Sequence, residues 1–273
     1  MTTRYPSRKL TVTLVQSSAG VDPARNLAAL DRMLAGVART DLIVLPEVFA
    51  LRGNTRDFRD SAQPIRRHPI VDWLRAAAQC KRAWCLGGSV MERAGGKIYN
   101  TSVLVDPAGR VHATYRKIHL FEAHLPDGKV VRESDAYTAG DTPVITTIKG
   151  WRCGLAICYD LRFPELFRRY AAAAAHLLLI PSNFTQRTGI AHWRTLVRAR
   201  AIENQAFVLA VNQCGTNART RIRSYGHSMA VGPWGELLCN CGRAQGVRTV
   251  VLEPAALRET RARVPALRHR VLG

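Results

Sequence analysis

The sequence predicts an α/β protein in which two or more β-sheets are covered by helices. Short apolar runs rich in Val, Ile and Leu alternate with stretches of helical length and periodicity, first over residues 10–92 and again over residues 144–212. A hairpin pattern lies between these two regions. The chain has 273 residues, of which 47% are hydrophobic, and this is enough to build a sizeable core.

The first region contains three predicted strands and two predicted helices. Residues 10–16 alternate and are rich in β-branched side chains, so they predict a strand. Asp22 and Pro23 then supply the N-cap and first residue of a helix that runs to about residue 37. The pattern continues with a strand at 41–45, a helix at about 70–81 and a strand at 83–92.

A β-hairpin and the second alternating region follow. Asp106-Pro107-Ala108-Gly109 is a turn sequence that joins predicted strands at 99–105 and 111–115. Gly150 marks a turn after a strand at 144–148, and the next strand is predicted to hold Cys158. The remaining predicted elements are strands at 177–180, 207–212, 226–231 and 248–252 and helices at about 164–175 and 192–205.

The chain is strongly basic, with 40 Lys and Arg against 20 Asp and Glu and a formal net charge of +20. The arginines are dispersed, whereas binding to nucleic acid requires a basic stripe interleaved with aromatic residues. We therefore expect a solvated basic surface and no nucleic-acid partner. The same field would favour a small anionic substrate.

The cysteines predict a reducing compartment. There are seven, an odd number at scattered spacings, which is untypical of a disulfide framework. Cys239 and Cys241 have no second pair or histidine at metal-ligand spacing, so no metal site is predicted. No apolar run approaches the roughly 20 residues that span a bilayer, and the N-terminal segment lacks a signal-peptide core. We expect a cytoplasmic protein with no membrane partner.

Three predicted strand ends carry side chains that could do chemistry. Cys158 follows an apolar run and precedes polar, turn-forming residues, an arrangement that would present a nucleophile. Glu47 directly follows a buried strand, and Lys117 ends a hairpin strand. Each has a structural alternative, because single cysteines are commonly core residues and charges at strand ends are commonly solvated. Their occurrence together favours a catalytic site.

Longer motifs surround these three residues and continue along nearly the whole chain. They are Leu45-Pro46-Glu47, Tyr115-Arg116-Lys117-Ile118-His119, Ile157-Cys158-Tyr159-Asp160, Gly189-Ile190-Ala191-His192-Trp193, Tyr225-Gly226-His227-Ser228-Met229, Pro233-Trp234-Gly235 and residues 198–205 and 265–270. On these motifs the chain resembles the carbon-nitrogen hydrolases of the nitrilase superfamily. The resemblance implies a single domain over residues 1–273, a four-layer α-β-β-α sandwich and a homodimer or higher homo-oligomer.

The resemblance also implies a catalytic set. In this family a Glu-Lys-Cys triad hydrolyses the substrate through a thioester, with no metal or coenzyme. Here Glu47 would be the base, Cys158 the nucleophile, and Lys117 the cation that stabilises the oxyanion together with the N–H of Tyr159. Glu133 occupies the place of a second family glutamate and would support Lys117. An exposed loop carboxylate is the alternative for Glu133.

Candidate substrate-binding residues surround this set. Tyr159 follows the nucleophile, Asn183 stands where relatives usually carry a small residue, and His192 begins a helix by the expected site. Arg162 could meet a substrate carboxylate. For His192 packing is the alternative, and for Arg162 an ion pair with Asp160 or Glu165.

The residues after Cys158 bear on the reaction. Nitrile-hydrolysing relatives typically have Trp-Glu after the nucleophile, whereas this chain has Tyr159-Asp160, which indicates an amide substrate. Other segments resemble deaminated glutathione amidases and ω-amidases, whose substrates are ω-amides of α-keto acids. An N-carbamoyl amino acid amidohydrolase or a nitrilase on the same fold stays open. An alternative function that is not enzymatic is a catalytically silent basic scaffold that binds polyanions.

Overall fold

Two six-stranded sheets lie face to face between layers of helices in the computed structural model, which describes residues 5–124 and 130–271. The first sheet contains β1 (Leu10–Gln16), β2 (Leu42–Val44), β3 (Trp84–Ala94), β4 (Lys97–Val105), β5 (Val111–Arg116) and β14 (Gly246–Leu252). The second contains β8 (Val144–Ile148), β9 (Trp151–Leu155), β10 (Leu177–Ser182), β11 (Phe207–Asn212), β12 (Met229–Val231) and β13 (Leu237–Asn240). A small hairpin sheet consists of β6 (Glu122–His124) and β7 (Val130–Arg132).

The described residues form α-helices, and the longer ones cover the outer faces of the two large sheets. The described helices are α1 (Pro23–Ala35), α2 (Thr55–Ser61), α3 (Pro69–Lys81), α4 (Pro164–Ala172), the short α5 (Gln186–Thr188), α6 (Arg194–Asn204) and α7 (Pro254–Arg263). Helices α1 and α3 pack on the first sheet, and α6 packs on β11 and β12 of the second sheet and against α4. The result is the α-β-β-α sandwich that the resemblance implied. None of the helices in the described residues is long and apolar enough to cross a bilayer.

Strand alternation explains the layers. In β1, Leu10, Val12 and Leu14 belong to the core between the sheets, whereas Val15 packs under the outer helices with Leu30 of α1. Because successive side chains of a strand point to opposite faces, one strand contributes to both cores. Apolar residues on both faces are therefore a consequence of this four-layer arrangement.

Strand directions bring the candidate residues to one edge of the sandwich. In the first sheet β2 and β3 are parallel, and two antiparallel steps through β4 give β5 the same direction. Glu47 and Lys117 therefore lie beyond carboxyl ends on the same edge. In the second sheet β9, β10 and β11 are parallel, and Cys158 and Asn183 lie beyond the carboxyl ends of β9 and β10.

Most predicted elements are present, and the strands at 10–16, 144–148 and 207–212 have the predicted bounds. The predicted strand holding Cys158 is wrong, because β9 ends at Leu155 and Cys158 begins a 3₁₀ turn that runs to Arg162. The predicted strand at 226–231 starts only at Met229, since Gly226 and His227 have φ of +72° and +52°, outside the β region. The sequence analysis did not identify α2, α7, β6, β7 and β13.

The predicted helix at 192–205 is also wrong in its first part. Helical structure begins at Gln186, where the Thr185 hydroxyl accepts the Thr188 N–H, and passes through a π-helical turn over residues 189–193 before α6. The missed helix α2 has a capping box between Asn54 and Asp57 that the sequence displays.

Gly88 of β3 fixes the position of the strand end that carries Glu47. A Cβ atom at this residue would lie 2.0 Å from the carbonyl oxygen of Pro46, directly before Glu47. Backbone atoms cannot move away as a flexible side chain can. Only glycine allows β3 to approach this segment so closely.

We expect Gly88→Ala to lower the free energy of unfolding by about 1–3 kcal/mol, as overpacking of a dense interior does. Urea denaturation of the purified protein measures this difference. Gly36→Ala is the matched control, because a Cβ at Gly36 meets nothing within 4 Å and its φ is −80°. Equal stability of the two variants would contradict the close approach at Gly88.

Candidate active site

A fully enclosed ammonium group lies at the centre of the site. Lys117 Nζ is 2.9 Å from Glu47 Oε1 and 2.9 and 2.8 Å from the two carboxylate oxygens of Glu133. The side chain of Lys117 is 0% exposed and that of Glu47 is 3% exposed. Glu133 is fixed from behind, because its Oε2 accepts the backbone N–H of Phe121 at 2.8 Å. The structure thus brings together three residues that the sequence placed in separate segments.

Charge pairing keeps this buried lysine protonated. Burial alone would lower the pKa of Lys117, but the carboxylates of Glu133 and Glu47 outweigh burial and raise it well above its usual value. Burial raises the pKa of Glu133, the negative charge of Glu47 adds to this rise, and Lys117 opposes it. The ammonium has three hydrogens to donate, and the oxygens that contact it belong to two carboxylates.

Asn100 of β4 orients the Glu47 carboxylate. Its Nδ2 donates to Glu47 Oε1 at 2.9 Å, and its backbone carbonyl accepts the N–H of Lys117 at 2.9 Å. Asn100 is 1% exposed. The sequence analysis missed this residue. The available signal is an asparagine inside a predicted strand, where this residue type is uncommon.

Cys158 begins a tight turn directly after the second sheet. It is 7% exposed, and its φ of +48° is in the left-handed region, which non-glycine residues rarely adopt. Val48, which follows Glu47, has a φ of +51° and is β-branched, so it is also strained. Backbone strain therefore accompanies both the cysteine and the glutamate.

The surroundings of the Cys158 thiol favour its protonated form. Burial raises its pKa well above the ordinary value, and the charge of Glu47 raises it further. The ammonium of Lys117 and a hydrogen bond from the backbone N–H of Asn183 act in the opposite direction. This thiol therefore requires a base to become a nucleophile.

Asp160 ties the cysteine turn to the lysine segment. This carboxylate is 0% exposed and accepts the Ile157 N–H at 2.8 Å and the Tyr115 hydroxyl at 2.7 Å. Its other oxygen accepts the backbone N–H of His119 at 2.9 Å and lies 2.7 Å from His119 Nδ1. The His119 ring stacks on Phe163 at 3.7 Å between centroids. Sequence reasoning did not find this role of Asp160.

A cavity of about 170 Å³ opens onto the cysteine. Glu47, Glu133 and Cys158 line it, and so do three of the four predicted substrate-binding residues, which are Tyr159, Arg162 and Asn183. Asn100, Tyr137, Arg132, Asn217 and Ser224 also line it and were not predicted.

The fourth predicted residue, His192, does not line this cavity but contacts a residue that does. His192 is exposed, and its Nδ1 lies 3.3 Å from Arg162 Nη1. Arg162 itself lies over the rings of Tyr159 and Phe184, at 5.7 and 5.3 Å from their centroids. The carboxylate of Asp160 is engaged with Ile157, Tyr115 and His119. The arginine is thus held at the cavity wall by aromatic faces.

Asn183 connects the cavity to a buried arginine. Its Oδ1 accepts the hydroxyl hydrogen of Ser224 at 2.6 Å, and Ser224 Oγ accepts from Arg52 Nη1 at 2.9 Å. Arg52 is 1% exposed and also donates to the Cys214 carbonyl at 2.8 Å. Burial lowers the pKa of Arg52 to about 10.

Comparison with known families assigns the chain. Residues 11–262 match the family model described as carbon-nitrogen hydrolase. The chain belongs to the carbon-nitrogen hydrolase family. It is a hydrolase that acts on carbon-nitrogen bonds other than peptide bonds, and its similarity to named relatives assigns it to the amidases of the nitrilase superfamily.

Individual members of the carbon-nitrogen hydrolase family are similar over most of their length. The deaminated glutathione amidase of Synechocystis is 39% identical over 236 residues, which cover 85% of this chain and 86% of that protein. Nit3 of Saccharomyces cerevisiae, a solved member of branch 10 of the nitrilase superfamily, has a TM-score of 0.87 at 30% identity and covers 98% and 99% of the two chains.

A further solved relative is a mutant of the amidase from Nesterenkonia sp. AN1, which shows Michael addition of acrylamide at its active-site cysteine. Its TM-score is 0.77 at 26% identity, over 94% of this chain and 98% of the other.

We expect Glu47→Gln to lower the pKa of the Cys158 thiol and Lys117→Met to raise it. The first change removes a nearby negative charge, and the second removes the positive charge that favours the thiolate. Titration of thiolate absorbance in the ultraviolet measures both shifts.

The same titration of each protein with Cys158→Ser added is the control, since subtraction removes the other six cysteines. Shifts of the same sign in both variants would contradict the charge arrangement.

Proposed function

We propose that this carbon-nitrogen hydrolase removes ammonia from the terminal amide of a small carboxylated substrate, an ω-amide of an α-keto acid, through a thioester on Cys158. The observation that carries the proposal is that a thiol and a carboxylate line one cavity and that a buried ammonium contacts the carboxylate. Glu47 and Cys158 both line that cavity, and Lys117 Nζ lies 2.9 Å from Glu47. Covalent reaction at the active-site cysteine of the Nesterenkonia amidase supports the role of Cys158.

Acylation begins with proton transfer. Glu47 takes the thiol proton of Cys158, and the sulfur attacks the amide carbon to give a tetrahedral oxyanion. The ammonium of Lys117 and the backbone N–H of Tyr159 stabilise that oxyanion. Glu47 then gives its proton to the amide nitrogen, the carbon–nitrogen bond breaks, and ammonia leaves the thioester behind.

Deacylation uses the same base. Glu47 takes a proton from water as the water oxygen attacks the thioester carbon, and the second tetrahedral oxyanion meets the same donors. The carbon–sulfur bond then breaks, the proton returns to the sulfur, and the carboxylic acid leaves. Glu133 keeps Lys117 charged and in place throughout, because its carboxylate lies 2.9 Å from the ammonium.

One cationic group on the cavity wall is placed to bind an anionic group of the substrate. The two carboxylates of the wall, Glu47 and Glu133, are both bonded to Lys117, whereas the guanidinium groups of Arg162 and Arg132 face the same space. Arg132 is paired with Glu122 at 3.1 Å, so Arg162 is the group we assign to the substrate carboxylate. The similarity to deaminated glutathione amidases favours that substrate over α-ketoglutaramate.

We expect Cys158→Ala to fold normally and to lose turnover by about a thousandfold or more, as loss of a catalytic nucleophile does. Ammonia release measures the loss, and circular dichroism checks the fold. Cys153→Ala is a matched control, because Cys153 is buried in β9 and lies outside the cavity.

Mass spectrometry of the unmodified protein mixed with substrate should find an acyl adduct on Cys158. Near-normal activity of Cys158→Ala would refute the mechanism.

A panel of substrates tests the proposed substrate class, an ω-amide of an α-keto acid. We expect ammonia release from deaminated glutathione and α-ketoglutaramate to exceed that from an N-carbamoyl amino acid or a simple nitrile.

Arg162→Gln should raise KM for the carboxylated amides by about tenfold, which corresponds to the loss of one charge-assisted hydrogen bond. A neutral amide such as propionamide is the control, and its KM should not change. A preference for the nitrile or carbamoyl substrate would overturn the assignment.

A further inference from the structure

A second concave region lies at the C-terminal ends of α4 and α6 and shares no residue with the active-site cavity. This arginine groove has a volume of about 850 Å³ and is lined by five arginines, which are Arg152, Arg258, Arg261, Arg268 and Arg270. No aspartate or glutamate of the described residues lines it, and none of the five arginines forms an ion pair with a carboxylate of those residues. The groove is therefore a concentration of uncompensated positive charge.

Helix dipoles balance only a part of this charge. Arg261 Nε donates to the carbonyl of Gln205 at 3.1 Å, and its Nη2 donates to the carbonyl of Ala175 at 2.7 Å, so it caps α6 and binds the chain three residues after the end of α4. Each helix C-terminus is equivalent to about half a negative charge. Two such ends against five guanidinium groups leave about four positive charges. A structural capping role accounts for Arg261 but not for the other four.

Buried polar atoms in the groove lack partners. Arg270 Nε and Gln205 Oε1 are inaccessible to solvent, and neither has a hydrogen-bond partner among the described residues. Gln205 is 3% exposed and lines the groove. Buried polar groups are normally paired, so unpaired ones indicate a missing ligand or water. Both atoms are covered in this structure, so an anion in the groove would pair with them only after the Arg270 or Gln205 side chain shifts.

A neighbouring buried histidine lies close to two of these arginines. His176 is 0% exposed, and burial together with the charges of Arg261 and Arg152 lowers its pKa to about 4. Two of the five arginines therefore lower the pKa of the same buried side chain.

We propose that the arginine groove binds a compact polyanion, a small molecule with two or more phosphate or carboxylate groups. Planar guanidinium groups match both kinds of oxyanion, and several of them around one concave space favour a multivalent ligand over a single charge. The site is independent of the proposed amide substrate, because Arg162 and the catalytic residues lie in the other cavity.

Isothermal titration calorimetry of the full chain with sodium pyrophosphate, at fixed ionic strength, tests the proposal. We expect saturable binding of one ligand per chain. The double variant Arg258→Gln/Arg268→Gln should weaken binding about tenfold or more, because charge-assisted hydrogen bonds are lost. The control Arg66→Gln/Arg67→Gln removes the same charge from an exposed turn and should bind normally.

Two further titrations identify the kind of ligand and the site that binds it. Citrate in place of pyrophosphate distinguishes a carboxylate from a phosphate ligand, and binding of either supports the proposal. Arg162→Gln should bind as tightly as the unmodified protein, and loss of binding there would assign the ligand to the active site and refute the groove.

Absence of saturable binding, or an equal loss in both double variants, would overturn the proposal. If the unmodified protein does not bind and the Arg258→Gln/Arg268→Gln variant has a changed oligomeric state, the groove is a contact between copies of the chain. That pair of results would also overturn the proposal.

Discussion

The candidate site depends on the burial of one ammonium group. An unpaired charge in the interior is too costly to persist, so Lys117 requires carboxylates at contact distance. They come from residues 70 positions before it and 16 positions after it in the chain. This requirement constrains where the strand end carrying Glu47 and the turn carrying Glu133 can lie. Breaking such a buried pair typically costs about 3–5 kcal/mol, so the stability of this edge and its chemistry rest on the same contacts.

The charge balance of that contact determines how the nucleophile works. Two carboxylates and one ammonium leave an excess of negative charge beside Cys158, and burial acts in the same direction on its pKa. These surroundings favour the thiol over the thiolate, unlike those of cysteines that are held as thiolates next to a cation. A base is then needed at the moment of attack, and the same base can protonate the leaving nitrogen. The arrangement suits an amide, whose leaving group requires a proton.

The strong positive charge of the chain is organised only in three dimensions. Along the sequence the arginines are dispersed, and this dispersal predicted a solvated basic surface. In the structure Arg152 of β9, two arginines of α7 and two from the segment after α7 converge on one groove. Arg162 instead lies on aromatic faces at the active-site cavity. Linear spacing does not reveal such convergence, because it depends on how helices α4, α6 and α7 pack against one another.

The sequence by itself determined the α/β class, several strands to the residue and the three strand ends that carry Glu47, Lys117 and Cys158, because alternation and turn residues are local signals. Glu133 came from resemblance to the family. Only the tertiary structure decided that Asn100 holds Glu47 across 53 residues of chain and that Asp160 joins two segments 41 residues apart. It also decided the left-handed backbone of Cys158. These features depend on contacts between distant segments, and their energies arise only when packing excludes water from around the polar groups.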